Sequence, residues 1–260
     1  MELRRQSVSR YIAPLREGGS LPALAEADDG FKYVVKFRGA GHGTKALVAE
    51  LIGGEVARAL GFKVPETIFI DLDEDFGRTE GDEEIQDLLR ASRGLNLGLH
   101  YLSGAMTVNP YVNGIDEMLA SKIVWLDAFL ANVDRTFRNT NMLIWNNELW
   151  LIDHGASLYF HHAWTNPDKS AVSPFPYIKD HALLPRASRI VEADRELKQR
   201  ITPRTLERIV DMVPDEWLDY EGLGLSVDEV RDTYKRFLTE RLKNSQIFVK
   251  QAADARQALI

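Results

Sequence analysis

The chain has 260 residues, 45% of them apolar, which is enough for a sizeable core in one large domain or in two lobes. A net charge of −7 argues against nucleic acid as the main partner, and zero cysteines exclude disulfides and thiolate metal sites and fit a cytoplasmic protein. No apolar run reaches membrane-spanning length, since LVAELIGGEVARALG is broken by Glu50, Glu55 and Arg58, and MELRRQSVSRYIAPLREG lacks the apolar segment of a signal peptide.

In chain order, LPALAEADDGFKYVVKF (21–37) predicts two strands around a turn at Asp28-Asp29-Gly30. Alternation in FKYVVKF puts Lys36 on the same face as Val34, and a lysine buried there calls for an anion. RGAGHGTKA (38–46) is a glycine-rich loop. From Leu47 to Leu60 apolar residues recur at helical spacing, with Gly61 placed to end the helix. VPETIFIDLD (64–73) predicts a strand, and residues 76–94 a charged loop leading into a short amphipathic helix. LNLGLHYL (95–102) predicts another strand. Beyond Ile115 the texture is helical, at 115–131, 186–200, 203–212 and 226–256, interrupted by the strand pair MLIW and LWLID.

Within NVDRTFRNTNMLIWNNELWLIDHG, Asp134 and Asp153 bracket that strand pair. Asp and Asn are ordinary turn residues, which explains each singly. A hairpin with arms of similar length explains them together, because it returns Asp153 to the end where Asp134 and the amides stand.

A strand lysine, a helix glutamate, further strands, then D-x-x-x-x-N, a hairpin and Asp-x-Gly form an ordered set. In this the sequence resembles the protein-kinase-like superfamily, and within it the HipA-like kinases and their phosphoinositide-kinase relatives, whose catalytic loop carries an Asp-Arg dipeptide. The stretches that carry the resemblance are YVVKF (33–37), VAELIGGEVARALGFKVPE (48–66), LANVDRTFRNTNMLIW (130–145) and LWLIDHG (149–155). Its specificity lies in their order and separation.

The resemblance implies an α+β, two-lobed kinase-like fold: a β-rich lobe with one helix over residues 1–103 and a mainly helical lobe over 104–260. It implies ATP and Mg²⁺ as cofactors, and an acceptor hydroxyl on a protein, lipid or small molecule. Lys36 would meet phosphate, with Glu50 orienting its ammonium. Glu55 is expected on a solvated face. Asp134 would orient the acceptor hydroxyl, and Arg135 would hold the loop or face phosphate. Asp153 would bind the metal together with an amide. The family's five-residue count gives Asn139, whereas Asn141 directly precedes MLIW and is preferred because the strand anchors it. Gly18, Gly19 and Ser20, or else the RGAGHGT loop, would cover the phosphates, and the backbone at Tyr101 and Leu102 would meet adenine. His154 stands where the family has Phe.

Rival chemistries lack a motif. The histidines have no zinc spacing, and there is no G-x-S-x-G elbow. Scattered basic runs such as LRRQSVSR are the only hint of nucleic acid. The remaining alternative is a catalytically silent pseudokinase serving as a nucleotide-binding or protein-interaction module. Retention of Lys36, Asp134 and Asp153 favours activity.

Overall fold

The computed structural model describes residues 2–15, 21–73, 81–110 and 114–259. The first half runs β1 (Arg5–Pro14), β2 (Ala23–Ala27), β3 (Lys32–Lys36), α1 (Gly43–Ala59), β4 (Thr67–Leu72), α2 (Glu83–Ala91) and β5 (Gly94–His100). Then come β6 (Met106–Thr107), α3 (Glu117–Leu130), β7 (Met142–Trp145) and β8 (Glu148–Leu151). The rest is helical: α4 (Phe160–Ala163), α5 (Pro167–Ala171), α6 (Ile190–Arg200), α7 (Pro203–Asp211), α8 (Asp215–Leu218), α9 (Val227–Lys243) and α10 (Gln246–Gln257).

Five strands close into a barrel in the order β1-β2-β3-β5-β4, with β1 parallel to β4 and the other pairs antiparallel. The sequence reading missed the two-residue β6 and, of more consequence for the barrel, β1. Its burial does not alternate cleanly, so no period-2 signal exists to find. Arginines in and beside it are ion-paired, Arg4 with Glu66 at 2.8 Å, Arg5 with Asp71 at 2.6 Å and Arg10 with Glu26 at 2.6 Å, so the basic run is charge-matched.

In β3 the fully buried side chains are Tyr33 and Val35, which fill the barrel with Ile68 and Ile70. Lys36 shares the opposite, half-buried face with Val34. That face looks onto the cleft rather than into the core.

Helix α1 begins four residues before the predicted Leu47 and is buried on every side from Leu47 to Ala57. Glu55, expected in solvent, is only 3% exposed and pairs with Arg58 at 3.2 Å. Leu47, Leu51, Ile52 and Val56 belong to the larger apolar cluster, with Val124, Trp125 and Phe129 of α3 and Trp217 of α8. So α1 packs with the helical half, while the barrel keeps a separate small core. The predicted helix 226–256 is two helices: the Asn244 side chain bonds the carbonyl of Glu240 at 2.9 Å, and α10 restarts at Gln246. No helix among the described residues is long and apolar enough to cross a membrane.

Candidate active site

Lys36 Nζ lies 3.3 Å from Glu50 Oε2 of α1 and 2.6 Å from Asp153 Oδ1. Burial alone would strip the ammonium of its proton, but the two carboxylates outweigh it and hold Lys36 above the usual lysine range. Burial pushes Glu50 up, against the pull of Lys36. Asp153 is pushed up by burial too, yet the ammonium wins and holds it low.

The hairpin supplies the opposite wall. β7 and β8 pair Met142 with Leu151 through Trp145 with Glu148, and Asn146 and Asn147 turn with φ of 49° and 62°. That is a two-residue turn of the kind that matches strand twist. At the open end, the Ile152 amide donates to the Asn141 carbonyl at 3.1 Å. Asn141 and Asp153 flank this bond, both with left-handed φ, 48° and 56°. Asp and Asn tolerate that region better than other residues with a β-carbon. Asp153 therefore lies beyond the strand that the sequence reading extended to it.

Asp134 Oδ2 accepts from Asn139 Nδ2 at 2.7 Å and from Asn141 Nδ2 at 3.1 Å. Burial raises this carboxyl above its ordinary value, the Asn141 amide opposes, the Asp153 charge adds and the Asn139 amide opposes. Both amides turn their nitrogen to Asp134. That fits a site needing hard oxygen ligands nearby, because the amide oxygens stay available.

Arg135 does not face phosphate. Its side chain is fully buried; Nε bonds Asp127 Oδ2 at 2.6 Å and Nη1 bonds the Asn141 carbonyl. Of the two roles left open for Arg135, these contacts fit the loop-holding one. Asp127, in the last turn of α3, also accepts from Asn132 Nδ2 at 2.9 Å and meets His181 Nε2 at 2.9 Å. The Leu183 amide donates to His181 Nδ1 at 3.0 Å, so the ring proton sits on Nε2 and points at Asp127. Burial would raise Asp127, but Arg135 and His181 together hold it well below the usual range. The sequence reading missed Asp127 and His181. The available signal was an aspartate inside the apolar helix segment KIVWLDAFL, where an unpaired charge is untenable.

His154 is buried against α1. A Cβ on Gly53 would stand 2.6 Å from His154 Cβ, so glycine alone fits there. Neither ring nitrogen has a hydrogen-bond partner among the described residues, and burial lowers the imidazole to about 3, leaving it neutral. It packs as an apolar plug.

Two cavities meet at Lys36, Asp153 and Pro22. The smaller, about 540 Å³, is walled by Val34, Leu99, Tyr101, Leu102, Leu143 and Ile152. At its rim the Tyr101 amide is spent on the Lys32 carbonyl at 2.9 Å and the Leu102 carbonyl on the Ala105 amide at 3.1 Å. The larger, about 780 Å³, holds Lys36, Asp134, Asn139 and Asp153. Ala40 and His42 of the RGAGHGT loop reach its lining. Gly18, Gly19 and Ser20 lie outside the described residues. The structure thus brings Lys36, Glu50, Asp134, Asn139, Asn141 and Asp153 to one cleft, with Tyr101 and Leu102 at its far end. Among the described residues no cluster of three or more His, Cys, Asp or Glu side chains could hold a metal.

Solved structures share the fold. The proinflammatory kinase CtkA of Helicobacter pylori is similar with a TM-score of 0.58 at 14% identity, over 99% of this chain and 98% of that one. The Golgi casein kinase with Mn/ADP bound is similar with a TM-score of 0.52 at 12% identity, over 98% of this chain and 75% of that one. No curated protein matches the sequence. The model of the HipA-like kinase family matches residues 8–246, nearly the whole of a two-lobed kinase-like chain, and the protein belongs to that family of phosphotransferases.

Proposed function

We propose that the chain transfers the γ-phosphoryl of ATP to a hydroxyl acceptor with Mg²⁺ as the cation. The observation that supports this most is Lys36, ion-paired to Glu50 and Asp153 in the wall common to both cavities. Adenine fits the apolar cavity, where the Leu102 amide and the Tyr101 carbonyl have no hydrogen-bond partner among the described residues. Its phosphates then run toward Lys36. Asp134 orients the acceptor hydroxyl and takes up its proton as the new O–P bond forms and ADP departs. Asp153 and Asn141 are the residues to hold Mg²⁺, which when bound supplies positive charge beside the transferring phosphoryl. Asn141 is preferred to Asn139 because it is 7% exposed and fixed by two bonds to its carbonyl, whereas Asn139 is exposed. The working division is a lobe over 1–103 and a lobe over 104–260, acting in the cytoplasm, where a chain without cysteine is at home.

Nucleotide binding and phosphoryl transfer measured on variants test the reading. Asp134→Ala is expected to abolish transfer with nucleotide affinity nearly unchanged, and Asp153→Ala to weaken Mg²⁺-dependent binding. Asn141→Gly, which keeps the left-handed backbone relaxed, is expected to weaken that binding more than Asn139→Gly. Full transfer by Asp134→Ala would sink the catalytic assignment. A wild type that binds Mg-ATP yet never transfers phosphate would make the protein a pseudokinase.

A further inference from the structure

The larger cavity has a wall that phosphoryl transfer alone does not use. His42, at the start of α1, and His162 of α4 come from the two halves of the chain and meet with ring centroids 5.2 Å apart. Tyr159 packs on His162 at 5.7 Å. All three rings line the cavity of Asp134 and Asp153, and none lines the adenine-side cavity. Lys45 stands close by on the first turn of α1, its ammonium over the Tyr220 ring at 5.1 Å. His161 lies behind His162, centroids 4.5 Å apart, buried and with no hydrogen-bond partner at Nε2 among the described residues.

The charges that act on this corner have one sign. His162 is held below the usual histidine range by burial, then by His42, then by Lys45, all three disfavouring the imidazolium. His161 is lowered by burial and by the same basic neighbours. The carboxylates of the cavity are already engaged, Asp153 by Lys36 and Asp134 by the two amides. In a chain of net charge −7, a basic corner with no carboxylate of its own among the described residues is suited to an anion. The nucleotide reaches Lys36 from the other cavity, so the space beyond Asp134 belongs to the acceptor.

We propose that the acceptor carries an anionic group, phosphate or carboxylate, close to its hydroxyl, and that His42 and His162 hold that group while Tyr159 supports the imidazole and the Lys45 charge adds to the positive potential of the corner. This rests on the kinase reading and narrows its substrate class. An anion beside His162 favours its protonated form, so binding strengthens as pH falls through the histidine range.

Sulfate is a suitable probe, because its charge stays constant across about pH 5.5 to 8, where histidines titrate. In the full chain with Mg-ADP bound, the ring NMR signals of His42 and His162 are expected to move saturably with sulfate, with higher affinity at lower pH. The variant His162→Gln, outside the loop that could cover the phosphates, is expected to lose about tenfold in sulfate affinity while Mg-ADP affinity stays the same. Unchanged sulfate affinity in that variant, or rings that ignore sulfate while Mg-ADP binds, would overturn the proposal. Failure of Mg-ADP itself to bind would overturn both this and the kinase reading. Glycerol 3-phosphate and a serine peptide flanked by glutamates then compete with sulfate. Displacement by the first marks a phosphorylated small molecule and by the second an acidic protein segment; displacement by neither would overturn the assignment to the acceptor.

Discussion

At Asp134 two amides and a neighbouring carboxylate act in opposite directions. Burial and the charge of Asp153 favour the protonated acid, while the bonds from Asn139 and Asn141 favour the carboxylate. The net result is a carboxyl raised above its ordinary value, which suits a group that must receive a proton late in transfer. The sign of the pH dependence follows. Only the carboxylate can accept the proton, so turnover falls as pH drops through the raised value. Removing a donor that stabilises the carboxylate raises it further. Asn139→Gly is therefore expected to move the acidic limb of the kcat profile upward by about 0.7 of a pH unit, the equivalent of one ordinary hydrogen bond. A limb that stays put or moves down would show that Asp134 is not the group titrating. Beneath it, Asp127 works through others: Arg135, Asn132 and His181 converge on one buried carboxylate and fix the loop that presents Asp134.

Helix α1 carries adjacent glycines whose surroundings differ. A Cβ at Gly53 would overlap His154 Cβ at 2.6 Å, whereas at Gly54 the nearest atom is Thr67 Oγ1 at 3.8 Å. Helix propensity favours alanine at both by up to about 1 kcal/mol. Gly54→Ala is therefore expected to stabilise by about that much, and Gly53→Ala to destabilise by about 1–3 kcal/mol through overpacking. Urea unfolding midpoints decide it; equal shifts in the two variants would mean that His154 gives way. The pair also shows what could be read in advance. The hairpin, its turn and the flanking acids were legible because strand alternation and Asn-Asn turn chemistry are local properties. Lys36 was legible for the same reason. Gly53 against His154, Asp127 against His181 and strand β1 were not, because each is defined by residues distant in sequence. β1 has no alternating signal and is fixed by ladders to β2 and β4 and by ion pairs. Glu55 was misread because α1 is buried all round, so no polar face exists to locate from periodicity.

The barrel and the helical half are joined through α1 more than through strands. Its apolar residues sit in the cluster shared with α3 and Trp217, and the barrel interior forms a separate cluster. Stitches run the same way: Trp217 Nε1 bonds the Leu95 carbonyl at 3.2 Å, and Leu151 bonds the Lys63 carbonyl at 2.8 Å. A boundary placed at residue 103 assigns α1 to the barrel by sequence, while packing assigns it to the helices. This has a consequence for the site, since α1 carries Glu50 and the barrel carries Lys36. Glu50 lies against Gly155, its Oε2 3.4 Å from where a Cβ on Gly155 would be, so an opening of the barrel is expected to leave Glu50 with the hairpin. In hydrogen exchange under mild urea, the α1 amides are expected to follow α3, while β1, β2 and β3 exchange through an opening of lower free energy. In the proposed complex Mg-ATP meets Lys36 on one side and Asp153 on the other, so it is expected to raise the barrel toward the helical half and narrow that gap. Exchange of α1 together with the barrel would overturn this division. A gap that Mg-ATP leaves unchanged would mean that the nucleotide does not bridge Lys36 and Asp153.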